Sequence, residues 1–418
     1  MPDQLMNWAK NITFGAQRAH HPTSVDELRR VVAGAERIRA LGTGHSFNTI
    51  ADSAGDLVSL AALPRLMTID AERSTVTVAA GLRYGEVAGY LNANGYALHN
   101  LGSLPHISVA GACATGTHGS GVKNGNLATA VRGLELVTAS GDLVSLDADS
   151  DGFLGSVVAL GMLGVVTSLT LDIVPTFDVA QYVYEDLPLP QLYAHFDEIV
   201  SAAYSVSLFT TWRESRIDQV WVKQRIDEPA NTKPGWLGMH AAEVARHPVP
   251  GMDAVNATQQ LGVPGPWHER LPHFRLEFTP SSGEELQSEY FVARESAAAA
   301  IDAVDAIRHQ ISPVLQVCEL RTIAADQLWL SPSYGRDSLA IHLTWIKDID
   351  AVAPAVAALE AQLAPYDARP HWGKVYTTAP STVVRLYERL PAFAALAHTY
   401  DPTGKFRNEF VDRYVPTR

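Results

Sequence analysis

Between Leu101 and Asn126 the chain offers few side chains large enough to build a core of their own. The densest part reads Gly111-Ala112-Cys113-Ala114-Thr115-Gly116-Thr117-His118-Gly119-Ser120-Gly121. So many small residues in succession serve best where backbone must lie directly against a flat or charged ligand. A flexible surface loop is the plainer reading, but the apolar neighbours Ile107, Val109 and Ala110 argue for burial. Any fold of this chain must therefore bring bulky partners to this stretch from elsewhere in the sequence. No Gly-Lys-Ser/Thr follows it, so it is not a P-loop.

A second small-residue segment, Leu41-Gly42-Thr43-Gly44-His45-Ser46-Phe47-Asn48, follows a strand predicted over Arg37–Leu41. Its glycines let backbone N–H groups approach an anion, and its hydroxyls add donors. A Rossmann loop would need glycine at position 47, and Phe47 breaks that pattern. A plain glycine turn with a surface histidine fits these residues equally well.

Around these segments short strands alternate with helices. Ser24 and Glu27 have capping-box spacing for a helix through Gly34. Strands are predicted at Leu57–Leu60 and Thr75–Ala79, and a helix over Tyr84–Asn92 that Asn94 and Gly95 stop. Leu134–Thr138 and Leu143–Leu146 flank the hairpin signature Ser140-Gly141-Asp142, and Gly161–Val174 runs from a glycine turn into a β-branched strand. Pro188–Pro190 suggests a crossing between domains. Ala230–Phe274, dense in Pro, Gly, His and Trp, is too long for a connector and reads as a lid or wall. Helices are predicted over Arg294–Ile311, over Ala351–Leu363 despite Pro354, and over Thr382–His398, before the turn Asp401-Pro402-Thr403-Gly404.

Composition excludes several function classes. The net charge of −13, from 32 basic and 45 acidic residues, repels nucleic acid and anionic lipid. A neutral small-molecule substrate fits that balance. The two cysteines, Cys113 and Cys318, make no zinc or disulfide framework, and no metal site is expected. Met1–Gln17 lacks the apolar core of a signal peptide, and no apolar run spans a bilayer. The expectation is a soluble, unanchored cytoplasmic protein, and nothing demands more than a monomer.

Two stretches in the second half alternate with period 2. Val314–Thr322 puts Val317, Glu319 and Arg321 on one face; Leu339–Ile346 puts His342 and Thr344 on one face and Ile341, Leu343 and Trp345 on the other. If both strands share a sheet, their polar groups line a pocket floor. Periodicity alone reads more readily as a solvated face with a Glu–Arg pair. His371-Trp372-Gly373-Lys374 sets a lysine among aromatic residues, where snorkelling to the surface is the commoner case. His20, His21, His240, His247, His268, His273 and His309 lack ligand spacing and are expected to be structural or exposed; Trp267 and His268 read as loop packing rather than an entrance wall.

The pair Gly42-Thr43-Gly44-His45-Ser46-Phe47 and Ala114-Thr115-Gly116-Thr117-His118-Gly119-Ser120-Gly121 resembles the FAD-binding domain of the vanillyl-alcohol-oxidase flavoprotein family, with Leu163-Gly164-Val165-Val166-Thr167 as its third piece. Ser103–Gly111, Cys318–Thr322, His371–Lys374 and Asp401–Phe406 extend the resemblance to the alditol oxidase (xylitol and sorbitol oxidase) branch over essentially the whole chain.

The resemblance implies an α+β fold: a two-part FAD-binding domain (1–175), a substrate domain with a large antiparallel sheet flanked by helices (176–370), and a C-terminal segment (371–418) returning to the first. It implies FAD bonded once, through His45, since Gly102-Ser103-Leu104 stands where some relatives carry a second, cysteine link. Further cofactor contacts are implied for Leu41, Gly42, Thr43, Gly44, Ser46, Phe47, Ser103, Ser108, Gly111, Thr115, Gly116, Thr117, His118, Gly119, Ser120, Val165, Val166 and His371. Arg321, Lys374 and Ser103 are expected at the reacting end of a polyol, and Glu319, Thr344 and His342 farther along it; Lys374, Arg321, Glu319 and His342 are the expected catalytic set. Oxidation of a terminal hydroxyl to the aldose, with dioxygen reduced to hydrogen peroxide, is the implied activity. A sugar-lactone oxidase or dehydrogenase of the same family is the near alternative, and a non-catalytic sugar-binding protein the distant one.

Overall fold

A computed structural model of the protein describes residues 5–229, 235–278 and 284–416. The N-terminal part holds two sheets. In the first, β1 (Arg18–His20) and β2 (Ile38–Ala40) flank β3 (Asp56–Val58) in parallel. Helix α1 (Val25–Gly34) leads from β1 to β2; Ser24 caps it by accepting from the Glu27 N–H, while the Glu27 carboxylate returns to Thr23. The second sheet is antiparallel. Its strands are β4 (Met67–Asp70) and β5 (Thr75–Ala79), then, beyond the short β6 (Tyr96–Ala97), β7 (Val131–Val137), β8 (Leu143–Asp147) and β9 (Val165–Asp172), in the order β4-β5-β9-β7-β8. Helix α2 (Tyr84–Ala93) follows β5, and β6 pairs with β10 (Val174–Pro175). The predicted hairpin around Gly141 is the β7–β8 turn, where Gly141 has a φ of 87°. The small-residue stretch is not all loop: α3 (Val109–Thr115) lies inside it and ends at Gly116 in the left-handed region.

A nine-stranded antiparallel sheet occupies the middle of the chain. It comprises β11 (Asp178–Pro188), β12 (Ser205–Thr210), β13 (Arg216–Arg225), β14 (His240–Ala241), β15 (Gly265–Pro266), β16 (Glu285–Ala293), β17 (Leu315–Ile323), β18 (Ser338–Ile346) and β19 (Arg369–Pro370). The order is β14-β11-β13-β12-β17-β18-β16-β19, with β15 also on β11. One face buries Leu208, Val222, Leu320 and Leu343 against Ile301, Val304, Val356 and Leu359 of the helices Ala297–Ala306 and Ile349–Leu363. Each such side chain contributes about 1.5–3 kcal/mol on burial. The helices cover that face over β12, β17 and β18, which leaves the polar face of β17 and β18 to meet the N-terminal part.

Three expectations need correction. Pro188–Pro190 is no crossing: Pro188 ends β11 and the helix Leu189–Ala194 begins, with Pro190 in its first turn. The helix expected over Arg294–Ile311 is broken: a 3₁₀ turn (Arg294–Ser296) precedes Ala297–Ala306, and Ile307, with φ −107° and ψ 13°, separates Arg308–Ile311. The helix over Thr382–His398 is two, Pro380–Leu386 and Leu390–Tyr400. Pro391 sits in the first turn of the second, where a missing N–H costs nothing, and Tyr387 leaves helical geometry to pack its ring 4.8 Å from that of Trp372. Within Ala230–Phe274, residues 230–234 lie outside the described residues; the rest is mostly irregular, and its short strands β14 and β15 both pair with β11.

The C-terminal segment packs into the N-terminal part. Val383, Leu390, Phe393, Phe406 and Val411 share a core with Leu28, Val32 and Val58. Buried Arg39 of β2 donates to the carbonyls of Phe406 (2.5 Å), Ile50 (2.5 Å) and Leu160 (2.7 Å). The Lys405 amine donates to Val32 O and Ala139 O, each at 2.8 Å. No described helix is long and apolar enough to cross a membrane.

Candidate active site

A cavity of about 630 Å³ runs from the loop after β2, past α3, to the polar face of β17 and β18. The loop Leu41–Asn48 forms one wall and is fixed on both sides. Trp8 N–H donates to Gly44 O at 2.8 Å, Asn7 Nδ2 to Ser46 O at 2.9 Å, and Asn11 Nδ2 to Phe47 O at 3.0 Å. From the other side, Phe47 N–H donates to Gly373 O at 2.7 Å, and Asn48 Nδ2 to Trp372 O at 2.8 Å and Lys374 O at 2.7 Å. Gly44 requires its residue type, with φ 71°, and a Cβ on Gly42 would stand 2.3 Å from Ser108 Oγ.

His45 lies in this loop with its ring stacked on Trp8, centroids 5.0 Å apart. Its Nδ1 is 3.1 Å from Thr43 Oγ1, whereas Nε2 is buried with no partner among the described residues. Burial, then the nearby Lys374 and His106, push its imidazole down to about 3, so the ring is neutral. An orphaned ring nitrogen on a cavity wall is what an added group would complete.

The floor is the in-register face of the large sheet. Glu289 of β16 pairs with His342 of β18, His342 with Glu319 of β17, and Glu319 with Phe209 of β12; one step along lie Gln287, Thr344 and Val317. All of them line the cavity. The expectation that the two alternating strands share a sheet and a polar face therefore describes neighbouring strands.

Arg321 is the electrostatic centre of the floor. Its Nη2 donates to Glu289 Oε1 at 2.8 Å, its Nη1 to Ser103 Oγ at 3.1 Å, and its Nε is 3.5 Å from Glu319 Oε1. Glu289 Oε1 also meets His118 Nε2 at 3.1 Å and stands 3.3 Å from His342 Nδ1. His342 Nε2 is 3.4 Å from Thr344 Oγ1. Glu319 Oε1 meets His273 Nε2 at 2.7 Å. Burial alone would raise both carboxyls, but His118, His342 and Arg321 hold Glu289, and Arg321 and His273 hold Glu319, well below the usual carboxylate range. The Lys374 amine donates to Gln287 Oε1 and lies 5.0 Å from the Phe47 ring centre. Burial, partly opposed by Glu289, lowers it to about 8, and burial lowers His371 to about 3.

Of the residues expected from sequence, His45, Leu41, Gly42, Thr43, Gly44, Ser46, Phe47, Ser103, Ser108, Gly111, Thr115, Thr117, His118, Val166 and His371 line the cavity, with Glu319, Arg321, His342, Thr344 and Lys374. Gly116, Gly119, Ser120 and Val165 do not line it. Gly116 ends α3 with φ 71°; a Cβ on Gly119 would meet Leu101 O at 2.4 Å; the Ser120 hydroxyl donates to Val206 O. Val165 points into the core because Val166, its neighbour on a strand, points to the cavity. Sequence reading did not single out Glu289, Gln287 and His273, which also line the cavity; His273, expected to be structural or exposed, is buried. Glu285, Gln287 and Glu289 do alternate along β16, a signal of the same kind as that of β17.

The glycine cradle, the unpartnered His45 nitrogen and the size of the cavity fit a large flat cofactor. Comparison with known proteins names it. Residues 16–147 match the FAD binding domain family, and residues 283–414 match the D-arabinono-1,4-lactone oxidase family. An alditol oxidase from a Streptomyces species is 53% identical over 414 residues, covering 98% of this chain and 99% of that one. L-gulono-1,4-lactone dehydrogenase of Mycobacterium tuberculosis is 29% identical, with 98% of each chain covered. The solved structure of cholesterol oxidase from Brevibacterium sterolicum superposes with a TM-score of 0.81, covering 99% of this chain and 96% of that one; at 15% identity it shares the fold. With more than half its residues shared along nearly the full length of the Streptomyces protein, the chain belongs to the vanillyl-alcohol-oxidase family of FAD flavoproteins, in its alditol oxidase branch.

Proposed function

We propose that the protein oxidises a terminal hydroxyl of an alditol such as xylitol or sorbitol to the aldose, with FAD held by a single bond to His45. One observation carries this reading: Ser103, Glu319, Arg321, His342, Thr344 and Lys374 converge on the same cavity as the His45 loop. A sugar alcohol has no charge, so its recognition rests on many hydrogen bonds, and each buried polar group left unmatched costs about 1–3 kcal/mol. The name of the Streptomyces relative supports the same substrate class.

The chemistry supplied by bound FAD is two-electron acceptance from the carbinol carbon, with dioxygen as final acceptor and hydrogen peroxide as product. The chain supplies the rest. Gly42, Gly44 and the backbone around Thr115 and Thr117 would hold the cofactor, and neutral His45 has the free nitrogen a covalent bond requires. Arg321, Lys374 and Ser103 orient the hydroxyls nearest the reacting carbon. Glu319, His342 and Thr344 take those farther along. The lowered amine of Lys374 is suited to accept the hydroxyl proton at Nζ. On this reading residues 1–175 and 371–418 form the cofactor unit and 176–370 the substrate unit, in a monomeric cytoplasmic enzyme.

The test is to mix the flavin-loaded protein with xylitol without oxygen. Bleaching of the flavin band, reversed by air with release of peroxide, is expected. No bleaching by xylitol or sorbitol, with rapid bleaching by L-gulono-1,4-lactone, would transfer the protein to the lactone-oxidising group. A colourless protein that binds xylitol would end the enzymatic reading.

A further inference from the structure

Lys223 and His273 are buried, titratable and without any part in the reaction described above. Lys223 stands on β13, fully enclosed. Its amine has three acceptors around it: Leu271 O at 2.5 Å, Pro272 O at 3.0 Å and His273 Nδ1 at 3.1 Å. That number matches the three donors of an ammonium group. With Nδ1 accepting, the one proton of a neutral imidazole must sit on Nε2, which is 2.7 Å from Glu319 Oε1. The His273 ring is neutral, lowered to about 4 by burial and by Lys223, against the pull of Glu319.

The ring has little freedom to turn. Phe209 and Trp221 pack edge-on to it at 5.4 Å and 5.3 Å, and the backbone N–H of His273 donates to Ser103 O at 3.1 Å. His273 Nε2 hydrogen-bonds Glu319 Oε1, the oxygen that Arg321 Nε approaches to 3.5 Å, and no described residue hydrogen-bonds Oε2.

We infer that Lys223 and His273 are positioning residues for Glu319: the lysine fixes the histidine tautomer, the histidine donates to Oε1, and the carboxylate is thereby held ionised with Oε2 presented to a substrate hydroxyl. This rests on the reading that Glu319 binds the polyol. The relay reaches the floor through the irregular segment 271–274, so a segment whose His273 and Phe274 line the cavity also sets the orientation of its carboxylate.

The test compares Lys223→Met, His273→Leu, His273→Gln and Glu319→Gln in flavin-loaded protein, with xylitol as substrate. Lys223→Met and His273→Leu should raise KM for xylitol roughly tenfold or more with a smaller fall in kcat, the loss expected for a charge-assisted contact. His273→Gln, whose amide can accept from Lys223 and donate to Glu319, should recover most of the loss. A merely structural role would lower flavin content or kcat without that split and without rescue, and would overturn the inference. Should Lys223→Met or His273→Leu fold without flavin, ¹⁵N-histidine spectra of the unaltered protein decide: the ring resonance absent from His273→Gln must report protonated Nε2, and protonated Nδ1 overturns the inference. Glu319→Gln separates the two levels. If it leaves KM unchanged, the substrate role of Glu319 fails; if it raises KM while Lys223→Met and His273→Leu do not, only the positioning inference fails.

Discussion

Replacing Arg321 with methionine tests the floor most directly, because the side chain keeps its bulk and loses only its charge and donors. The guanidinium is the cation between two buried carboxylates, 2.8 Å from Glu289 and 3.5 Å from Glu319. Removing one partner of a buried ion pair costs about 3–5 kcal/mol. His118 and His342 remain beside Glu289 and His273 beside Glu319, which places the cost at the lower end. An unfolding entropy of about 2.1 cal/mol/K per residue over 418 residues converts that range to a fall in Tm of about 3–6 °C. The sign with pH follows from linkage. Both carboxyls are held below their unfolded value of about 4.3, so their contribution is complete above that pH and is lost as pH falls through the folded values. The deficit of Arg321→Met is therefore largest at neutral pH and begins to narrow only below about pH 4, as pH falls toward the folded values. Thermal melts by circular dichroism at about pH 7 and about pH 3, on flavin-loaded samples, measure it. Equal Tm at pH 7, or a gap that widens in acid, would refute the electrostatic reasoning. On the proposed reading, activity on xylitol should fall at least about 10²-fold, with the loss of the charge-assisted contact assigned to Arg321 and of its bonds to Ser103 and Glu289.

His45→Ala should yield protein whose flavin is released by acid precipitation, whereas the unaltered protein keeps its colour in the pellet; colour retained in the variant would move the attachment elsewhere. In the unaltered protein kcat/KM for xylitol should rise with pH through about 8, as the Lys374 amine loses its proton, and Lys374→Met should abolish that limb along with most turnover. A limb that survives in Lys374→Met would assign it to another group.

The parts of the site legible in the sequence were those with a local pattern. Glu319, Arg321, His342 and Thr344 could be placed on faces because a strand repeats every two residues, and the register of β17 against β18 then brought the two faces together. Glu289 and Gln287 carry the same pattern on β16, but a carboxylate in a strand usually means a solvated face, and only the arrival of His118 from the small-residue loop makes Glu289 central. His273 sits in irregular chain with no periodicity to read; long-range contacts with Lys223 and Glu319 set its place. The break at Ile307 was hidden for the opposite reason, since helix-favouring composition runs through it and tertiary packing overrode it, whereas Pro391 marked the start of a new helix just after Tyr387. The small-residue loop was recognisable as ligand-facing, yet Gly116, Gly119 and Ser120 turned out to shape the wall from behind, a distinction that needs the three-dimensional path of the backbone.

The clasp between Phe47, Asn48 and the carbonyls of residues 372–374 joins segments more than 320 positions apart. Synthesis on the ribosome is vectorial, at about 5–20 residues per second. The first sheet emerges early, but its Ile38 N–H waits for Lys405 O, and Arg39 waits for Phe406 O. A nascent chain halted near residue 360 would thus display an unfinished flavin cradle. Cofactor capture becomes one of the last events in maturation, so truncated or stalled products should remain colourless.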